Sequence, residues 1–113
     1  MLFHITPRSE WELAVTRGSY APASLASEGF IHLSTAEQWP RTLERWFPGR
    51  AGLVLLTIDP ALLTHEVRFE PVHGDHFPHL FGPLDVKAVI AVTDLRVTDD
   101  GQHRPEPRDR ARR

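Results

Sequence analysis

"SEGFIHLS", residues 27–34, is the stretch on which the reading turns. Gly29 interrupts whatever precedes it, and Phe30 to Leu33 then read as a short strand ending at Ser34. Side chains alternate across a strand, so His32 and Ser34 share a face with Phe30 while Ile31 and Leu33 oppose them. "FHIT", residues 3–6, repeats the pattern: His4 and Thr6 share a face with Leu2, and Phe3 and Ile5 point the other way. Each segment thus has one wholly apolar face and one that mixes an apolar group, an imidazole and a hydroxyl. The first suits a core. The second suits the wall of a cleft that holds a flat ring and hydrogen-bonds a polar ligand. The expectation is that His4 and His32 face one shared cleft and serve its ligand, so that truncating either costs under about 1 kcal/mol of stability. The competing reading is a pair of half-buried, internally satisfied histidines.

Working outward, residues 2–6 form a first strand, and Ser9 with Glu12 resembles a capping box opening a helix that Gly18 stops. Leu25 falls on a short helical turn broken by Gly29. Ser34 with Glu37 reads as a second capping box; Pro40 then lies deep enough to kink the helix, and Trp39, Leu43, Trp46 and Phe47 form its buried stripe. "AGLVLLTID" (51–59) is a near-continuous apolar run, as in a strand covered on both faces. "HEVRFE" (65–70) alternates, with Val67 and Phe69 inward. "PVHGDHFPHLFGPLD" (71–85), with three prolines and two glycines, reads as an ordered functional loop or a broken strand, and residues 86–97 as a long or bulged strand. The fold class is α+β: a mainly antiparallel, split sheet with flanking helices.

Composition narrows the function. The 113 residues are 41% hydrophobic, enough for one core, and contain no cysteine, so disulfides, thiolate metal sites and cysteine nucleophiles are excluded. No apolar run approaches a membrane span and no secretory leader is evident, which places the protein in the cytoplasm. From residue 101 the chain carries five arginines against Glu106 and Asp109, or +3, leaving −5 on the first hundred residues of a chain whose total is −2. The domain is therefore read as residues 1–98, with 99–113 a disordered Arg-rich tail lacking any large apolar anchor. An acidic body is no general nucleic-acid binder.

A third cluster is "HGDHFPHLFGP". His73, His76 and His79 are spaced by three around Asp75, donors that suit zinc or nickel. No known metal signature has this spacing, so no metal ligand is assigned. His79, enclosed by aromatic and apolar residues, is the histidine most firmly held. Glu28 is read as solvent-facing, and Glu70 either faces the cleft or pairs with Arg68 or Arg8. Phosphate loops, nucleophile elbows and zincin motifs are absent.

"FHIT", Trp11, Gly18-x-Tyr20, "SL" at 24–25, "EGFIHLS", "EQ" at 37–38, "VLLTID", "VRFEPV" and "FPHLFGPL" together resemble the Domain of Unknown Function 952 family, in order over residues 2 to about 92. That family is similar in turn to the ADP-ribosyltransferase and tRNA 2′-phosphotransferase fold. The resemblance implies a nucleotide cleft in a split sheet, with NAD as cofactor and cleavage at the nicotinamide ribose. It implies catalytic roles for His4, His32 and His79, with His79 in the place of the usual glutamate. His4, Thr6, Tyr20, Phe30 and Ser34 would contact the ligand. Transfer of an RNA phosphate does not carry over, because only Arg8, Arg17 and Arg68 stand near enough to be considered. The alternatives are a catalytically inactive module binding a nucleotide or other small ligand, and a histidine-ligated metal protein.

Overall fold

A computed structural model describes residues 1–107. In chain order the elements are β1 (Leu2–Pro7), α1 (Arg8–Arg17), β2 (Ser19–Tyr20), α2 (Ala23–Glu28), β3 (Ile31–His32), α3 (Trp39–Trp46), β4 (Leu53–Ile58), β5 (Val67–Val72), β6 (Asp75–Leu80), β7 (Leu84–Asp85), β8 (Val89–Val97) and β9 (His103–Pro107). Among the described residues every strand pairing is antiparallel, in three sheets ordered β1-β4-β8-β9, β2-β7 and β3-β6-β5. No helix among the described residues is long and apolar enough to cross a membrane.

The largest sheet is covered on both faces, and the alternation along β4 shows how. Val54, Leu56 and Ile58 join one core with Leu2, Trp11, Tyr20, Ile31, Leu33 and Leu80. Leu53 and Leu55 join the other with Ile5, Leu43 and Leu95. The apolar run at 51–59 thus contains, at Leu53–Ile58, the strand covered on both faces that it was expected to form. Each fully buried leucine or isoleucine contributes about 1.5–3 kcal/mol over its exposed state.

Helix boundaries follow backbone chemistry more than side-chain caps. Ser9 lies inside α1, which starts after Pro7 with no side-chain cap. Gly18 ends it as expected, in the left-handed conformation (φ 81°) with its N–H on the Ala14 carbonyl. The second capping box also does not form. Instead Gln38 Oε1 accepts from the Thr35 N–H (3.0 Å), and α3 begins only at Trp39. Pro40 therefore sits in the first turn, where its missing N–H costs nothing, and no kink is needed. Of the α3 stripe, Leu43 is buried but Trp46 is 61% exposed.

Three further expectations are corrected. Of the two readings of residues 71–85 the loop is corrected and the broken strand holds: β5 and β6 form a hairpin turning at His73-Gly74, both at positive φ (48° and 82°), as a two-residue type I′ connection requires. Phe69 is 55% exposed, because edge strand β5 runs out beyond the core that Val67 still touches. The segment 99–113 is not a tail throughout, since His103–Pro107 form β9 along the edge of β8. Residues 108–113, the remainder of that expected tail, lie outside the described residues.

Candidate functional site

The two larger sheets meet at one point. Phe3 of β1 and Ser34, just beyond β3, exchange both backbone hydrogen bonds (2.8 Å each) as an isolated bridge. Pro78 explains why β3 changes partner there. Its carbonyl accepts from Leu33 N–H (2.9 Å), but proline has no N–H to return, so the β3–β6 ladder stops and the next residue pairs with β1. The strands separate on either side of this bridge. A cleft of about 440 Å³ lies beside it, within the range usual for small-molecule sites.

His4, His32, Ser34 and His79 all line that cleft, with Leu33, Phe77 and Val72 as apolar wall. His32 and His79 are direct cross-strand partners. Their rings meet edge to face at 5.3 Å, and Phe30 stacks flat on His79 (4.1 Å, 14°). Phe30 thus supports a cleft residue from behind. Ser34 Oγ lies 3.5 Å from Thr42 Oγ1 of α3.

Besides Phe30, which backs His79 without lining the cleft, two more expected contact residues are elsewhere. Thr6 and Tyr20 are buried and do not line the cleft. The small β2–β7 sheet holds Tyr20 beneath His4, where its hydroxyl is 2.8 Å from His4 Nε2 and 2.9 Å from Thr6 Oγ1. His4 Nδ1–H donates to the His32 carbonyl (2.6 Å). Both ring nitrogens of His4 are therefore engaged by the protein, tying β1 to β3 across the split. Burial lowers its pKa from 6.5 to about 4, the His32 carbonyl opposing and the His32 charge reinforcing the shift. Burial likewise pushes the Tyr20 hydroxyl up to about 12, against the opposing Thr6 hydrogen bond. His4 lines the cleft as expected, but as a neutral ring with both nitrogens already engaged by the protein.

The other two histidines each have a carboxylate behind one nitrogen. Glu28, at the end of α2, reaches back to His32 Nε2 (2.5 Å) across a half-exposed surface, and so is not merely solvent-facing. Glu70, expected either to face the cleft or to pair with Arg68 or Arg8, instead forms one unit with His79, whose Nδ1–H donates to Glu70 Oε1 (2.7 Å). The His79 side chain is 4% exposed, and its Nε2 is buried with no hydrogen-bond partner among the described residues. Leaving such an atom unpaired costs about 1–3 kcal/mol.

The residues that sequence reasoning missed come from two places. Trp46, Phe47 and Thr42 enter from α3, and Val72, His73 and Phe77 from the hairpin. A usable signal for the hairpin existed in the His73-Gly74 dipeptide between two alternating runs, hidden by Pro71 and Pro78. The three histidines at 73, 76 and 79 do not form one group, since His76 and His79, three apart on one strand, point to opposite faces. Among the described residues no cluster of three or more metal-ligating side chains is arranged to hold an ion. Arg8 pairs with Asp94 (3.1 Å) and Arg68 with Glu66 (2.8 Å), and neither they nor Arg17 line the cleft.

Fold and site define a small, antiparallel α+β protein whose cleft, between two sheets joined at a single bridge, is walled by histidines and apolar side chains. The chain belongs to the family described as "Protein of unknown function (DUF952)", matched over residues 5–92. It is similar to the crystal structure of protein CC0527 from Caulobacter crescentus, with 37% identity and a TM-score of 0.82 over 91% of this chain and 92% of that one. The solution NMR structure of CC0527 gives 38% identity and a TM-score of 0.77 over 88% of each chain. No functionally curated protein matches the chain.

Proposed function

We propose that the cleft binds the nicotinamide-ribose end of NAD, or a related ADP-ribose nucleotide, and that the protein cleaves or transfers at that ribose as a glycohydrolase or ADP-ribosyltransferase-like enzyme. The observation that carries the reading is the convergence of His32 and His79, each backed by a carboxylate, on a ring-sized apolar cleft where two antiparallel sheets part. The donor set suits that end of the molecule. Apolar walls accept a flat pyridine ring, and the free His79 nitrogen suits a hydroxyl. Among the described residues no lysine or arginine lines the cleft, so the pyrophosphate would lie outside the cavity. When bound, NAD supplies a glycosidic carbon with a good leaving group. The residues of this chain orient that carbon, exclude water from the apolar wall and place a base beside it.

One observation favours a second reading, a binding module without catalysis: His4, the first-strand histidine implied by the resemblance, has both nitrogens consumed internally. The test is a thermal-shift and calorimetric titration with NAD, ADP-ribose, nicotinamide and divalent metals, followed by chromatography for released nicotinamide. Trp46 at the cleft mouth should report binding by a change in fluorescence. Binding with release supports the enzyme, and binding without release supports the module. If neither NAD nor ADP-ribose raises Tm or perturbs Trp46, the nucleotide reading falls.

A further inference from the structure

Outside the features already used, the molecule offers little that points to a ligand. A groove between α3 and β9 is open, and nothing in the structure indicates what would cover it. The unpartnered nitrogen inside the cleft carries more.

We propose that His79 and Glu70 form a base for an O–H donor: Glu70 is the positioning residue that fixes the imidazole tautomer, and Nε2 receives the proton of a water or sugar hydroxyl. This deepens the NAD reading and rests on it for the reaction, though not for the site. Three features converge. The Glu70 carboxylate can only accept, so a ring hydrogen stands on Nδ1, and in the neutral tautomer that this selects the lone pair is on Nε2. Phe30 stacked on one face and His32 against the ring hold its plane, so Nε2 points in one direction. That atom is buried in a residue that lines the cleft and has no protein partner among the described residues, unlike either nitrogen of His4. A ligand atom there must be a donor, and an O–H is the donor that a base can use.

For NAD the step balances without a further reagent. The acceptor O–H gives its proton to His79 Nε2 as its oxygen forms a bond to the ribose carbon. The carbon–nitrogen bond breaks, and its electron pair neutralises the pyridinium, so nicotinamide leaves uncharged. The imidazolium, held against Glu70, then passes its proton to solvent.

The test uses the full chain as wild type, Glu70→Gln, Glu70→Asp and His79→Gln. Long-range proton–nitrogen spectra at neutral pH read the His79 tautomer, first without ligand, then with D-ribose as a hydroxyl probe and with NAD. Nicotinamide release is followed against pH in parallel. In the wild type we expect hydrogen on Nδ1, with the Nε2 resonance moving when ribose or NAD is added. Glu70→Gln, whose amide can also donate, should mix the tautomers and slow release at least about tenfold with KM changed little, and Glu70→Asp should recover part of the loss. The acid limb of the pH profile should move with the Glu70 variants, which a merely structural carboxylate would not cause. Hydrogen on Nε2 in the free wild type overturns the proposal whatever NAD does. So does a Glu70→Gln protein with unchanged tautomer and rate, or an Nε2 resonance indifferent to both probes. A response to ribose with none to NAD sinks the NAD reading and leaves the hydroxyl site standing.

Discussion

Replacing His4 by asparagine should remove most of the protein's sensitivity to mild acid. The folded His4 titrates at about 4 against an ordinary 6.5, because burial deprives its cation of solvation. Between those values the unfolded chain binds a proton that the folded chain refuses, so lowering the pH favours unfolding. The stability linked to His4 is complete above pH 6.5 and drains away as pH falls towards 4. Integrating the linkage gives a loss of about 2 kcal/mol at pH 5 and about 3 kcal/mol at pH 4, a large share of a marginal total. The asparagine amide can still donate to the His32 carbonyl but not reach Tyr20, so the variant should start about 1–2 kcal/mol less stable at neutral pH. Urea denaturation followed by tryptophan fluorescence, extrapolated at several pH values, measures both curves. Exposed Glu66, Asp75 and Asp100, whose carboxyls are held low by local hydrogen bonds, titrate alike in both proteins and cancel in the difference. The wild-type advantage should shrink on acidification, vanish between about pH 6 and pH 5, and reverse by pH 4. Two parallel curves, separated by a constant gap, would refute the claim that His4 is held neutral by the fold.

Tyr20 is the only tyrosine, so phenolate absorbance reads it alone; it should half-titrate near pH 12, and a midpoint near 10 in folded protein would deny its burial. Deleting residues 101–113 should lower Tm by more than about 5 °C, equivalent to roughly 1 kcal/mol, because β9 pairs along β8 and its His103 donates to the Arg50 carbonyl (2.8 Å). An unchanged Tm would mean β9 does not dock. Gly82→Ala should cost about 1 kcal/mol, since a Cβ there would overlap the His65 ring, and a second change, His65→Ala, should restore the loss. Failure of that rescue would place the cost in the backbone instead.

Strand alternation, an apolar central run and a glycine stop were legible from the chain because each depends on neighbours a few residues away. That is why β1, β4, the end of α1 and the shared position of His4 and His32 beside one cleft could be read directly. Turn chemistry was legible in principle at His73-Gly74, but prolines within β5 and β6 disguised the hairpin. Register and partners were not legible. A strand's sequence says which residues share a face and says nothing of what stands across from it. Only the folded chain brings Tyr20 under His4 to saturate it, sets Glu70 behind His79, and uses Pro78 to end one ladder so that Ser34 can begin another. Two histidines that line the same cleft thus acquire opposite characters, His4 with both nitrogens engaged by the protein and His79 left with a buried free nitrogen. The sequence determined that imidazoles would reach the cleft; the tertiary hydrogen bonds decided which of them could still act there.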